Sequence, residues 1–342
     1  MPNDVVSRAI DQICAGENLT ADHASTVLSE IMEGRAEPIQ TGAFLIALRA
    51  KGETVSELVG LARTMRSLAT PVHTDRPDLV DTAGTGGGPT TFNISTTAAL
   101  VAAAAGCPVA KHGNRSATSK SGSADVLEAL GVNVDLDPEE VGRCIDEVGF
   151  GFMFAQRHHS AMAHVGPARA GLGVRTVFNF LGPLTNPAGA TRQLVGVADR
   201  FYQETIAEAL IGLGTVRALV VSAEDGVDEL SLSAPTRVIE VFDGRTAEWF
   251  VEPGQFGLAP LELEEIKGGT PAENADATCA VLAGHPGPHR DIVLLNAAAA
   301  IYVGGLAADL EDGVGKAAAA VDSGAAAGLL DKLIAATGRS AG

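Results

Sequence analysis

From Asp78 onward, short apolar runs recur along the chain: "DLVDTAG", "CPVAKHG", "RALVVSAEDG" and "TRVIEVFDG", with helical or glycine-rich segments between them. Strand-length runs alternating with helices predict a central, mostly parallel sheet with crossover helices, an α/β fold. Residues 1–72 differ in kind. No strand-like alternation intrudes there, and Leu58, Leu61, Met65 and Leu68 recur at helical spacing behind a capping box, Thr54 to Glu57. The expected organisation is a small N-terminal helical domain, 1–72, and a larger α/β domain, 73–342. The strand signal lapses between about 160 and 190, so this segment is expected to return to the N-terminal helices. One crossover helix is well marked: Asp137 as cap, Pro138 in the first turn, Glu140 closing a capping box, then Val141, Ile145 and Val148 on one face.

Composition narrows the function. The chain has 342 residues, 46% hydrophobic and 19% charged, which fits a compact core and argues against disorder. Forty-two acids against 24 bases give a net charge of −18, the wrong balance for a phosphate backbone, so no nucleic-acid partner is expected. Cys14, Cys107, Cys144 and Cys279 show no short spacing and suggest buried thiols in a reducing cytoplasm rather than zinc or disulfides. The N-terminus lacks a basic segment followed by an apolar core, so no secretion signal is expected. Ala98 to Ala110 is too short to span a bilayer, and Ile292 to Leu310 carries Asn296, Gly304 and Gly305, so a covered helix in an α/β core is expected rather than a membrane span, with no membrane partner.

Four stretches carry candidate chemistry. "DTAGTGGGPTTFNIST", Asp81 to Thr96, follows the apolar "DLV" and precedes an Ala-rich segment from Thr97, which places it between a strand and a helix. Bare amides of a glycine turn beside the positive end of a helix dipole make a site for phosphate. The dinucleotide and Walker spacings are both absent, so the glycines alone fit a tight turn equally well. "KHGNRSATSKSGSAD" gathers Lys111, His112, Arg115 and Lys120 with five hydroxyls, suited to a ligand rich in phosphate oxygens or, more plainly, to a solvated loop whose serines cap a helix near Ser123. "AEDGVDELS" sets Asp228 beside Glu229 at a strand end, where paired carboxylates hold Mg²⁺ or merely face solvent in a turn. These three are expected in the crevice beyond the carboxyl ends of the strands. In "PARAGLGVRTVFNFLGPLTNPAG", Arg169 and Arg175 lie six apart; on a regular helix they point to different sides, so only one is expected in a given pocket, forking onto a carboxylate or making a structural ion pair.

In this order the stretches resemble the anthranilate phosphoribosyltransferase family, of the nucleoside-phosphorylase-like class. The resemblance covers essentially the whole chain and includes "GAFLIALRAKGET", "FNIST", "KHGNRS", "SGSADVLEALG", "RTVFNFLGPLTNPAG", "DGVDELS", "GGTPAENA" and "LLNAAAAIYVGG". It implies transfer of the phosphoribosyl group of 5-phosphoribosyl 1-diphosphate to anthranilate in tryptophan biosynthesis, with Mg²⁺, by a cytoplasmic homodimer joined through the helical domain. Carried over by position, Gly84, Gly87, Thr91, Asn93, Ile94, Ser95, Thr96, Lys111, His112, Gly113, Asn114, Arg115, Ser116, Ala117, Thr118, Ser119 and Ser123 match donor-binding positions. Ser95, Asp228 and Glu229 match the Mg²⁺ positions, and Gly84, Asn114 and Arg169 those near anthranilate. No nucleophilic residue is implied; His112 is a candidate proton relay, and His159 and His164 are expected at the second-substrate entrance.

One departure stands out. The family commonly reads Gly-Thr-Gly-Gly-Asp-Gly with one more residue before Phe-Asn, whereas this chain reads "GTGGGPTTFN". The acid that faces the metal region in the family is absent at Gly88, so its metal role is expected to be lost, and Gly88→Asp is expected to change the shape of a Mg²⁺ titration. The alternatives are a pyrimidine nucleoside phosphorylase or a paralogue with another acceptor.

Overall fold

A computed structural model describes residues 1–116 and 119–338. Four helices open the chain: α1 (Asp4–Cys14), α2 (Ala21–Met32), α3 (Pro38–Lys51) and α4 (Val55–Leu68). Asn3, Thr20 and Thr54 accept the first free amides of α1, α2 and α4, and Pro38 opens α3 where a missing N–H costs nothing. The Thr54–Glu57 box is also a tertiary link. Glu57, fully buried, accepts from Leu19 N at 2.9 Å and pairs with Lys51 Nζ at 3.0 Å.

The α/β part follows as β1 (Val80–Gly84), α5 (Ile94–Ala104), β2 (Val109–Gly113), α6 (Ser123–Ala129), α7 (Pro138–Val148) and β3 (Phe150–Phe154). Short helices α8 (Ala155–His158), α9 (Gly166–Leu172) and α10 (Phe178–Leu181) then interrupt it before β4 (Arg192–Gly196), α11 (Gln203–Gly212), β5 (Arg217–Ala223), β6 (Thr236–Phe242) and β7 (Arg245–Val251). Four helices close the chain: α12 (Pro271–Leu282), α13 (Pro288–Val303), α14 (Leu310–Asp322) and α15 (Ala325–Gly338).

The seven strands lie in the order β3-β2-β1-β4-β5-β6-β7, the first five parallel. "TRVIEVFDG" departs from the parallel expectation: β6 runs antiparallel to β5, and β7 to β6. No helix separates β5 from β6, so no crossover is possible, and β6 turns into β7 through Asp243 and Gly244, both at positive φ, the geometry of a two-residue hairpin.

Alternate side chains of each inner strand enter different layers. Leu194, Leu219 and Val221 pack with α5 and the C-terminal helices, while Val195 and Val220 face a second core shared with α1–α4, α11 and Val165, Val177, Phe178, Phe180, Leu181 and Leu184 of the 160–190 segment. Helices α5 and α13 are apolar nearly all round because both are covered by other helices. No helix among the described residues is long and apolar enough to cross a membrane. Two cysteines correct the expectation of buried thiols: Cys107 and Cys144 are buried, but Cys14 and Cys279 are exposed.

Candidate active site

The strand order reverses between β1 and β4, and a cleft of about 1200 Å³ opens there at the carboxyl ends of the strands. Gly84 of β1 and Gly196 of β4 pair across this point. Neither has room for a side chain: a Cβ on Gly84 would collide with Asp228 Oδ2, and one on Gly196 with Asp228 O. The two glycines form a slot that receives Asp228.

The "DTAG" residues are the last of the strand, and the bare turn begins at Thr85. Gly86 and Gly87 hold φ of +60° and +94°, which glycine adopts without strain. Gly86 N donates to Asp228 Oδ2 at 2.8 Å. Helix α5 starts at Ile94, earlier than the expected Thr97, so Ser95 and Thr96 occupy its first turn. Asn93 stands at the N-cap, yet its side chain faces outward from the helix: Nδ2 donates to Ser121 O, while Oδ1 accepts from Ser121 Oγ and from Asn274 Nδ2 of α12. One amide thereby joins three parts of the chain at the cleft mouth.

The basic stretch after β2 presents less free charge than its composition suggests. Lys111 is buried, its Nζ donating to Thr82 O, to Thr82 Oγ1 at 3.1 Å and to Ser95 Oγ at 3.4 Å. Burial lowers its pKa to about 8 against the pull of Asp81, Glu229 and Asp228. Arg115 forks onto Glu128 and reaches Asp125 at 2.8 Å. His112 is buried and neutral, its pKa lowered to about 3 by burial and by His159, whose ring centroid lies 5.0 Å away. The His112 Nδ1 faces Gly182 O at 3.2 Å, which assigns the proton to Nδ1 and leaves Nε2 an acceptor with no partner among the described residues.

Every described residue carried over from the family lines this cleft: Gly84, Gly87, Thr91, Asn93 to Thr96, Lys111 to Ser116, Ser119, Ser123, Arg169, Asp228 and Glu229. Ala117 and Thr118 lie outside the described residues. His159 also lines it, but His164 does not; it packs on Gly34 of the helical unit. The serines do not cap α6: Gly122 is its N-cap, and Asp125 takes the amides of Gly122 and Ser116.

The separation expected of Arg169 and Arg175 also fails, since both enter the cleft. Helix α9 ends at Leu172 with Gly173 left-handed, so six residues do not map onto one helical turn pattern. Arg169 lies over Phe178, 5.3 Å from the ring centroid. Asn296 is a further lining residue, one to which sequence reasoning gave no role. It is fully buried on α13 and grips both backbone groups of Leu230, Oδ1 from N at 3.0 Å and Nδ2 to O at 2.9 Å. The signal was present: one amide inside the apolar "LLNAAAAIYV".

Burial and the neighbouring Asp228 push the Glu229 carboxyl well above the usual range. Two close carboxylates that resist joint ionisation are the donor set a divalent cation relieves, and oxygen-only ligands suit Mg²⁺. No cluster of three carboxylate, imidazole or thiol ligands occurs among the described residues; Asp228 and Glu229 share the cleft with the Ser95 hydroxyl. The Gly88 position itself has no space for the missing acid, because a Cβ there would collide with the carbonyl of Gly226.

Comparison with known proteins agrees with this layout. Residues 76–327 match the α/β domain of a glycosyl transferase family and residues 7–69 its helical bundle domain. Anthranilate phosphoribosyltransferase of Symbiobacterium thermophilum is 54% identical over 94% of this chain and 95% of its own, and that of Chromobacterium violaceum 52% over 96% of each. Among solved structures, the Thermus thermophilus enzyme superposes with a TM-score of 0.91 at 46% identity, covering 96% of this chain and 99% of that one. The Saccharomyces cerevisiae enzyme in complex with PRPP and Mg superposes with a TM-score of 0.89 at 27% identity, covering 98% of each. These relatives do not favour the nucleoside phosphorylase alternative. The chain belongs to the anthranilate phosphoribosyltransferase family.

Proposed function

We propose that the protein transfers the phosphoribosyl group of 5-phosphoribosyl 1-diphosphate to the amine of anthranilate, releasing diphosphate, in tryptophan biosynthesis. The observation that carries this reading is the meeting, in one cleft at the strand switch point, of a glycine turn, a carboxylate pair and Arg169. Donor phosphates are assigned to the turn around Gly84 and Gly87, Thr91, Asn93 to Thr96 at the start of α5, and Lys111 to Ser116, Ser119 and Ser123. Ser95, Asp228 and Glu229 would hold Mg²⁺, which when bound supplies positive charge to the diphosphate oxygens.

The chemistry demands little of the side chains. As the ribose C1–O bond breaks, positive charge develops on the sugar and negative charge on the leaving group, so fixed dipoles and alignment do most of the work. Arg169 turns the acceptor through its carboxylate, with Asn114 beside it. The amine lone pair forms the C1–N bond, and the resulting arylammonium is a strong acid. His112, a weak base whose Nε2 has no partner among the described residues, suits the removal of its proton.

A cytoplasmic homodimer joined through the helical unit is part of the same reading. Its support is an apolar stripe on α3, where Ile39 is 82% and Ile46 38% exposed, with exposed Ala43 and Ala50 on the same face. Ile46→Lys is expected to shift the sedimentation coefficient towards monomer.

The reaction is tested by mixing protein, Mg²⁺, donor and anthranilate and following loss of anthranilate fluorescence. No loss under these conditions refutes the proposal. Arg169→Ala is expected to raise the KM for anthranilate by about 10- to 100-fold, as lost charge-assisted hydrogen bonds do, and the donor KM far less.

A further inference from the structure

Arg175 has no part in the roles assigned so far, yet it lies directly on the glycine turn. Its Nη2 donates to Thr85 O at 2.9 Å, and a Cβ on Gly87 would collide with Nη1. The guanidinium therefore rests on the bare backbone of residues 85–87, and the missing side chain at Gly87 is what gives it room. Its own main chain is anchored from the helical side, where Arg49 Nη1 of α3 donates to Arg175 O at 2.9 Å. The side chain thus reaches from the helical unit across to the turn.

Its charge is uncommitted. Among the described residues Arg175 makes no ion pair, whereas Arg115 is spent on Asp125 and Glu128, and Lys111 is turned into the protein against Thr82 and Ser95. An arginine presents five N–H donors in a fork that matches phosphate oxygens, and only one bond of this fork is made among the described residues. In a protein of net charge −18, an unpaired guanidinium held over a glycine turn is completed by an anion.

We propose that Arg175 is a catalytic residue that binds the leaving diphosphate of the donor. This rests on the phosphoribosyl-transfer reading and adds to it the group that faces the turn. When the C1–O bond breaks, its electron pair departs with the diphosphate, and the fork stabilises the charge that accumulates on those oxygens. The amine lone pair closes the C1–N bond and the amine proton leaves towards His112; Arg175 exchanges no proton. Arg169 lies over Phe178, whereas the contacts of Arg175 are with Thr85 and Gly87 of the turn.

The test is calorimetric titration of inorganic diphosphate with Mg²⁺ into wild type, Arg175→Gln and Arg175→Lys, alongside steady-state kinetics for both substrates. In the Gln variant diphosphate affinity is expected to fall about 10- to 100-fold, the loss of charge-assisted hydrogen bonds. Its donor KM is expected to rise and kcat to fall, with anthranilate KM moving less than about threefold. Arg175→Lys, which keeps the charge and loses the fork, is expected to lie between. Unchanged diphosphate affinity in the Gln variant, or in the Lys variant should the Gln variant not fold, overturns the assignment. A loss confined to anthranilate KM overturns it as well. The diphosphate titration needs no acceptor, so its outcome is read separately from whether wild type consumes anthranilate.

Discussion

Gly84, Gly86 and Gly88 lie within five residues, and each is glycine for a different reason. Gly86 needs its φ of +60° and has open space around it, so Gly86→Ala is expected to cost about 1–2 kcal/mol of stability through backbone strain and, with its amide still able to reach Asp228, to weaken Mg²⁺-dependent donor binding less than a change at Gly84. Gly84 instead makes room for the Asp228 carboxylate. Gly84→Ala is therefore expected to weaken Mg²⁺-dependent donor binding about tenfold or more, by displacing a ligand, with a small change in melting temperature. Thermal melts and Mg²⁺ titrations of the two variants separate these causes; the same phenotype in both would show that neither distinction holds. Gly88 abuts the Gly226 carbonyl, which changes what Gly88→Asp tests. Restoring the acid without the extra loop residue moves the backbone, so a lower melting temperature accompanies any altered metal titration. The glycine cluster was legible in the sequence, but these reasons were not, because Asp228, Gly226 and Arg175 meet the turn only after the sheet is assembled.

One helix packed behind the cleft fixes part of its geometry. Helix α13 reaches in with Asn296, which satisfies the amide and carbonyl of Leu230 and so fixes the chain directly after Asp228 and Glu229. Asn296→Leu leaves both backbone groups unpaired in a closed core, a loss of about 1–3 kcal/mol per group, and is expected to weaken Mg²⁺-dependent donor binding while anthranilate KM changes little. Urea unfolding with parallel donor titrations measures both effects; full stability in the Leu variant would mean that the Leu230 groups find other partners. The alternation of apolar runs with helices was enough to anticipate the parallel sheet and α7, since each follows from local periodicity and capping. The antiparallel edge was also marked, by Asp243-Gly244 between two β-rich runs, yet the crossover pattern upstream outweighed it. Helical spacing misled for Arg169 and Arg175 because Gly173 ends α9 between them. A six-residue separation means something only if the helix continues.

Across the whole molecule, acid stability reports on histidines that no single element holds. His112, His159 and His158 come from β2 and the chain after β3, and all three are held neutral, chiefly by burial, with His112 at about 3 and His159 at about 4. In the unfolded chain each titrates near 6.5. Because the folded values lie below the unfolded one, the stability these imidazoles allow is complete above about pH 6.5 and declines as the pH falls through the window from 6.5 to about 3. Buried acids act in the opposite sense: Asp81 and Glu53, raised by burial, favour the folded state more as the pH drops. Subtraction isolates the histidines. The double variant His112→Gln, His159→Gln keeps every acid, so the difference in unfolding free energy between wild type and variant, measured by urea at intervals from pH 7.5 to 4, contains only the imidazole contribution. That difference is expected to shift steadily against wild type below pH 6.5 and to be flat above it. A difference that is flat throughout would mean that the rings titrate in the fold as they do in the unfolded chain, and the lowered basicity assigned here to His112 and His159 would be wrong.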